Sequence, residues 1–440
     1  MLNMDTKLAK RQEEGKVIRT GIVGAGQMGR GMVTQMALMK GIMPAIVSDI
    51  KMDNVIHAFH YAGISDDQIA VAETLEEANK YMEMGKFVAT DNSDIIAQAN
   101  LVECAIDVTG VPEVGVKIAT DALKNHKHVV MMDVETDVVI GSYLKKLGDQ
   151  NGVIYTGSAG DEPGAVMELY SFAKAMGMQV KVMGKGKNNK LDYACNPDTV
   201  LEEATRRKMS PRMLCAFKDG TKTMVEMTAM SNATGLIPDV IGGHGPSASP
   251  AERCKELNAI FKLKKDGGIL NQHGVVEYVN GIAPGVFVTV ATENEEISYQ
   301  MQYHSMGPGP LWTLYRPYHL CNLETPLTVA KAVIDSEPTI IPLAGPVSEC
   351  ITVAKRDLKA GETIDGIGGY TTYGSIATAE ETYKNGYVVY GLVNKKTRML
   401  KDVRKGQLLT LDMVELDTST QLYQTRKMQD RMYHNGYALK

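Results

Sequence analysis

Cysteine is scarce and shows no pairing pattern. The six, Cys104, Cys195, Cys215, Cys254, Cys321 and Cys350, contain no C-x-x-C spacing and mostly sit inside apolar runs, which points to a reduced, cytoplasmic protein without a disulfide framework. Long apolar runs are missing too: no stretch reaches membrane-spanning length, and the opening MLNMDTKLAKRQEEGK is a polar, amphiphilic arm without the apolar centre of a signal peptide. Nor is there an excess of positive charge. With 47 Lys and Arg against 52 Asp and Glu the net charge is -5, so neither nucleic acid nor an acidic membrane is an expected partner, while local basic pockets stay open. No H-E-x-x-H or equivalent spacing indicates a metal; Asp219, Glu226 and Asp133 are the carboxylates available to a divalent cation. Internal repeats and low-complexity segments are also lacking.

What is present reads as a globular chain of 440 residues with 44% hydrophobic and 22% charged content, long enough for two or three domains. The run Val17 to Val23 leads into Gly24-x-Gly26-x-x-Gly29 and then a helical pattern to Lys40. That order of strand, glycine turn and helix is what a dinucleotide pyrophosphate needs. Gly24 permits the turn, Gly26 lets a phosphate approach the backbone, and Gly29 permits close packing, with Gln27 and Met28 opening the helix beneath the phosphates. A second strand, Pro44 to Ser48, ends in Asp49, about 20 residues on, where an acid binds the adenine ribose. Asp49 favours NAD(H), and Lys51 two residues later would offset its repulsion of a 2'-phosphate, so NADP(H) stays open; a solvated loop lysine is the bland alternative.

After a helical insertion from about Met52 to Met84, further strands are expected at Phe87–Thr90, Leu101–Asp107, His128–Asp133 and Val153–Thr156. The fold class is therefore α/β with a doubly wound parallel Rossmann sheet, and Thr109, Gly110, Asp133 and Glu135 follow the carboxyl ends of its strands, where the nicotinamide is expected. The expected domains are a dinucleotide-binding domain over 1–162, a central α+β substrate and oligomerisation domain over 163–345, whose end returns to the first, and a β-rich domain over 346–440. Short β-like runs separated by AGE and KGQ turns carry the last of these.

Three further stretches carry chemistry. In VKVMGKGKNNKLD a strand hands over to a turn bearing Lys185, Lys187 and Asn188, donors suited to a phosphate, a carboxylate or a developing alkoxide. Glycines flank Lys185 and would admit a close approach; a basic surface turn is the alternative. In GTKTMVE a helical pattern puts Lys222 and Glu226 four apart on one face, either a catalytic pair or an ordinary surface salt bridge. In GPGPLWTLYRPYHL the only tryptophan, Trp312, and the rings of Tyr315, Tyr318 and His319 surround Arg316 on a shaped loop. Arg316 offers a planar fork for an anion and His319 a proton relay near neutral pH. An arginine stacked on tyrosine and a hydrogen-bonded core histidine are the alternatives.

The runs DVTGVPEVG, KHVVMMDVE and GSAGDEPGAVMELYSFAKAMGMQVKVMGKGKN follow the order of elements in the homoserine dehydrogenase family, which the chain resembles over much of its first half. It departs from that family at Asp133-Val134, where an Asn-Lys pair is expected, and at Lys222 and Glu226, where the family has an Asp and then a Lys. A closer resemblance, carried by AGDEPGAVMELY, GKGKNN, DGTKTMVEMTAMSNATGLIPD and GPGPLWTLYRPYHLCNLETP and covering nearly the whole chain, is to the homoserine dehydrogenase-like group with a C-terminal SAF (β-clip-like) domain. It includes reductoisomerase-like enzymes that convert 1-deoxy-D-xylulose 5-phosphate with NADPH. The resemblance implies an NAD(P)(H)-dependent oxidoreductase on a small, anionic hydroxy-carbonyl compound and a homo-oligomer, with Lys187, Lys222, Glu226 and His319 as catalytic candidates and Lys185, Asn188 and Arg316 holding substrate. Oxidation of a homoserine-like hydroxy acid and a non-catalytic nucleotide-sensing or assembly protein are the competing functions.

Overall fold

The computed structural model describes residues 3–433. The apolar runs of the first third become β1 (Ile18–Val23), β2 (Ile42–Ser48), β3 (Ile69–Val71), β4 (Phe87–Thr90), β5 (Cys104–Asp107), β6 (His128–Met131) and β7 (Tyr155–Gly157). They form one sheet in the order β3-β4-β2-β1-β5-β6-β7, parallel at every junction. Strands β1, β2, β5 and β6 are almost wholly buried, as expected of a parallel sheet covered on both faces. Strand order reverses between β1 and β5, which puts the ends of these two strands at the topological switch point of a doubly wound sheet.

One expectation for this region is corrected. The insertion after Met52 is not all helix: between the helices Met52–Tyr61 and Leu75–Glu83 lies β3, which becomes the sheet's outer strand. Three residues are too few for an alternation to register in sequence. The opening arm is the helix Met4–Glu13. Met4 and Leu8, one turn apart, are buried in the core around β1 and β2, and Gln12 accepts a hydrogen bond from the Gly41 amide at 2.9 Å, so two apolar side chains suffice to dock a mostly polar helix.

The chain divides into two compact units. The first comprises Met1–Gly164, Leu320–Ile341 and Gln424–Gln429. In it the helix Cys321–Ala330 packs on the helix Gln27–Ala37 that follows the glycine turn. Gly31 makes the fit, since a Cβ there would fall 2.0 Å from the Asn322 amide.

The second unit comprises Ala165–His319, Pro342–Tyr423 and Asp430–Lys440. Its main sheet, in the order β12-β11-β8-β10-β9, contains β8 (Gln179–Lys187), β9 (Ile237–Pro238), β10 (Val275–Asn280), β11 (Val286–Ala291) and β12 (Trp312–Arg316). The third expected region begins with a hairpin of β13 (Ser348–Ala354) and β14 (Thr372–Thr378), followed by a small pair, β15 (Arg398–Met399) and β16 (Val414–Glu415). This region lies in the same unit as the main sheet because it encloses the helix Thr221–Thr234. Thr221 Oγ1 accepts from the Gly374 amide at 2.9 Å, the hydroxyls of Ser231 and Ser348 lie 2.6 Å apart, and Asn232 Oδ1 accepts from the Val347 and Ser348 amides at 2.9 and 3.0 Å. A helix rich in Thr, Ser and Asn is thus buried nearly all round with its polar atoms bonded. Among the described residues no helix is long and apolar enough to cross a membrane.

Candidate functional site

In the first unit the glycine turn is built as its spacing requires. Gly24 has a φ of +105° and its backbone passes against Val108, whose carbonyl a Cβ would meet at 3.0 Å. A Cβ on Gly29 would lie 1.8 Å from the Gly24 carbonyl oxygen, whereas Gly26 faces open space. Gly26 also caps the helix Gln27–Ala37, whose first turn carries no acid; Gln27 and Met28 are exposed. The positive end of that helix is left for an anion. Asp49 at the end of β2 is tied to this turn, its carboxylate accepting from the Ala25 amide at 2.8 Å, the Lys51 amide at 2.9 Å and Asn54 Nδ2 at 3.1 Å. The Lys51 side chain is exposed.

At the end of β5, Thr109 and Gly110 are shaped by a residue that sequence reasoning passed over. Buried Asp107 accepts hydrogen bonds from the Thr109 amide and hydroxyl at 2.9 and 2.7 Å. Burial pushes its carboxyl up to about 6, the two Thr109 bonds oppose the shift and Glu135 adds to it. Asp133 and Glu135 are themselves buried. Asp133 caps the helix Val134–Asn151, accepting from the Thr136 amide and hydroxyl at 3.2 and 2.8 Å.

The turn makes a sharp prediction. In Gly29→Ala the methyl group collides with the backbone of the turn itself, so the apo protein should lose about 1 to 3 kcal/mol and dinucleotide affinity should fall at least about tenfold, or about 1.4 kcal/mol. Urea titration and cofactor fluorescence measure the two effects, and wild-type affinity in the variant would remove the turn from dinucleotide binding.

In the second unit the lysines stand elsewhere than expected. Lys185 and Lys187 are not on a turn: β8 continues through Lys187, and the turn begins at exposed Asn188. Both lysines are 5% exposed, which removes the solvated-turn alternative. The glycines beside Lys185 serve the protein's own backbone. A Cβ on Gly184 would sit 1.9 Å from the Glu277 carbonyl on β10, and one on Gly186 would sit 2.4 Å from the Ala283 amide nitrogen.

Burying two ammonium groups requires partners. Lys185 Nζ is ion-paired with Glu226 on the helix Thr221–Thr234, and Glu226 is 1% exposed, so a surface salt bridge does not describe it. Lys187 Nζ donates to the Phe217 carbonyl at 2.7 Å. Burial, and then the charge of Lys185, lower its pKa to about 8, with Glu226 and Asp219 opposing. Lys222, on the same helix, is half-buried. Asp219 precedes the helix and accepts from the Thr221 amide at 2.9 Å; it is paired at 2.7 Å with Lys355, the residue that follows β13, a partner 136 residues away that no local pattern announces. Of the three carboxylates suggested for a cation, Asp219 and Glu226 are therefore held by lysines and Asp133 by a helix terminus.

Arg316 ends β12 instead of lying on a loop. Its Nη1 is 3.4 Å from Glu168 Oε2, and its guanidinium stacks over Tyr318 at 4.5 Å, so the stacked arrangement is present. His319 is half-buried.

Residues 160–325 match the family model described as the catalytic domain of oxidoreductase DRL, a segment holding Lys185, Lys187, Asn188, Lys222, Glu226, Arg316 and His319. No curated protein matches the chain. Among solved structures, one described as a probable dehydrogenase from Thermotoga maritima is 13% identical, with 73% of this chain and 90% of that one covered and a TM-score of 0.41. The scyllo-inositol dehydrogenase of Lactobacillus casei, solved with NAD(H) and scyllo-inositol, is 12% identical over 68% and 76% at a TM-score of 0.38. UDP-N-acetylglucosamine 3-dehydrogenase GnnA from Acidithiobacillus ferrooxidans is 11% identical over 74% and 92% at 0.39.

Proposed function

We propose that the chain is an NAD(P)-dependent oxidoreductase of a small, anionic hydroxy-carbonyl compound. The oxidoreductase class rests on the family match over 160–325. The nicotinamide dinucleotide rests on the glycine turn, on Gly26, where a Cβ would meet no other atom, and on the carboxylate of Asp49 at the end of β2. The observation that carries the substrate class is the pair of buried ammonium groups, Lys185 and Lys187, on a central strand of that matched segment.

The dinucleotide, when bound, supplies or accepts the hydride. The chain's own residues manage charge and protons at the substrate. Lys187, with its proton affinity lowered toward neutrality, donates to the carbonyl oxygen during reduction and takes the hydroxyl proton in the reverse direction. Lys185, neutralised by Glu226, orders this end of β8 and keeps a donor there. Lys222 and His319 are the remaining proton-transfer candidates, and Asn188 and Arg316 contact the anionic end of the substrate.

The most concrete substrate is 1-deoxy-D-xylulose 5-phosphate, converted by isomerisation and reduction. Following reduced nicotinamide by absorbance with that compound, other phosphosugars and homoserine-like hydroxy acids tests the reading; tight cofactor binding without turnover on any of them would leave a nucleotide sensor in its place. Arg316→Met should raise KM with little change in kcat, a loss of about 10- to 150-fold in kcat/KM for a charge-assisted contact worth about 1.5 to 3 kcal/mol. A change within about twofold would return Arg316 to its stacking and Glu168 contacts. Asp49→Ala should move the NADH to NADPH affinity ratio toward NADPH by about tenfold, because the carboxylate that repels a 2'-phosphate is gone. An unmoved ratio takes Asp49 out of ribose recognition.

A further inference from the structure

Cys195 and Cys215 lie 20 residues apart in sequence with their sulfurs 3.4 Å apart. Cys195 belongs to the irregular stretch after β8, and Cys215 to the helix Pro211–Lys218. With Val200, Ala204 and Leu214 they form a small apolar cluster of their own. Into this cluster projects one cation, the ammonium of Lys355, whose side chain is 2% exposed. It lies 3.2 Å from Cys215 Sγ, 2.7 Å from Asp219 Oδ2, 3.0 Å from the Cys195 carbonyl and 2.8 Å from the Gly369 carbonyl.

We propose that Cys195 and Cys215 are a reversible dithiol–disulfide site, oxidised by a small hydroperoxide, in which Lys355 holds Cys215 as the attacking sulfur and Cys195 is the resolving thiol. The two sulfurs are already in contact, and the cation beside one of them makes the pair unequal. The hydrogen bond from Cys195, and then the charge of Lys355, hold the Cys215 thiol below its ordinary value against burial. That same bond, followed by burial, pushes Cys195 up, so one partner is the nucleophile and the other carries the proton. Access comes from the Cys195 side. Most of its neighbours between Asn188 and Thr199 are exposed or half-buried, so opening one irregular stretch uncovers the pair without unfolding the sheet.

In the first step Cys215, its proton released to solvent, attacks one peroxide oxygen through a sulfur lone pair. The S–O bond forms, the O–O bond breaks, and hydroxide leaves and takes a proton from solvent. In the second step the Cys195 sulfur attacks the sulfenic sulfur. The S–S bond forms, the S–O bond breaks, and the departing hydroxyl carries off the Cys195 proton as water. Two thiols lose two electrons, and hydrogen peroxide is reduced to two waters. A dithiol reductant reverses the change.

The donor atoms of Cys195, Cys215 and Asp219 lie within 4.8 Å of one another, a set that a soft divalent ion also suits. The Lys355 ammonium, bonded to two of the three residues' side chains, already provides the positive charge there.

The full-length reduced protein is treated with hydrogen peroxide, alkylated under denaturing conditions and mapped by mass spectrometry. The expected product has the Cys195 and Cys215 peptides joined, two of its six cysteines protected from alkylation, and all six recovered after dithiothreitol. Cys195→Ser and Cys215→Ser should each abolish that cross-link, and Lys355→Met should slow its formation at least about tenfold. Both serine variants keep the Lys355–Asp219 pair, so they decide the matter even where Lys355→Met does not fold. Six alkylated cysteines after peroxide, a cross-link between other cysteines, an unchanged rate in folded Lys355→Met, or stoichiometric zinc shielding both thiols until chelation would each overturn the proposal.

Discussion

Replacing Lys185 by Met, or Glu226 by Leu, is expected to lower stability by about 3 to 5 kcal/mol, while the double replacement Lys185→Met with Glu226→Leu recovers most of the loss. The reason is where the pair sits. The side chains are 6% and 2% exposed, so removing one partner takes an opposite charge away from the other in a medium that solvates charge poorly. Removing both leaves two apolar side chains in a dry site. Urea unfolding with unchanged m values gives the three stabilities, and the double-mutant cycle gives the coupling. Losses that simply add, within about 0.5 kcal/mol, would mean that the two charges do not depend on each other. Turnover separates structure from chemistry: on the proposed function the double variant regains its fold but not its activity, whereas recovery of both would reduce the pair to a structural brace.

The second large effect is expected at Lys187. General acid–base catalysis contributes about 10²- to 10⁴-fold, and Lys187→Met should lower kcat by that order with cofactor affinity unchanged. The pH profile carries its signature. Because burial and Lys185 lower the pKa of this ammonium to about 8, it is protonated below that pH and neutral above it. Carbonyl reduction, which needs the proton, should fall as pH rises through about 8; the reverse oxidation, which needs the free amine, should rise through the same range. The variant should lose this limb in both directions. A limb near the same pH that persists in Lys187→Met would assign the titration, and with it the proton transfer, to another group.

The dinucleotide unit was legible because its signals are local. A glycine turn between a strand and a helix, an acid after the second strand, and apolar runs that end at turns all lie within short windows, and the doubly wound parallel sheet follows from them. The stretches that misled are those in which local pattern and environment diverge. GKGKNN looks like a turn because glycine and asparagine are common in turns, yet neighbouring backbone at Glu277 and Ala283 requires those glycines and continues the strand. The first segment reads as a polar, amphiphilic arm because only Met4 and Leu8 face inward.

By itself the sequence determined the fold class, the place of the glycine turn and the residue types available for chemistry, since each depends on backbone preferences and on spacing within a few residues. Tertiary structure decided which charges face each other. Glu226 is ion-paired with Lys185, which reaches it from β8 across 41 residues of sequence. Asp219 is met by Lys355, the residue that follows β13, and Cys215 by Cys195 across 20 residues. Partners of this kind are chosen by desolvation: once a strand and a helix are packed, a buried charge needs whichever opposite charge is buried beside it, and sequence distance does not enter that energy.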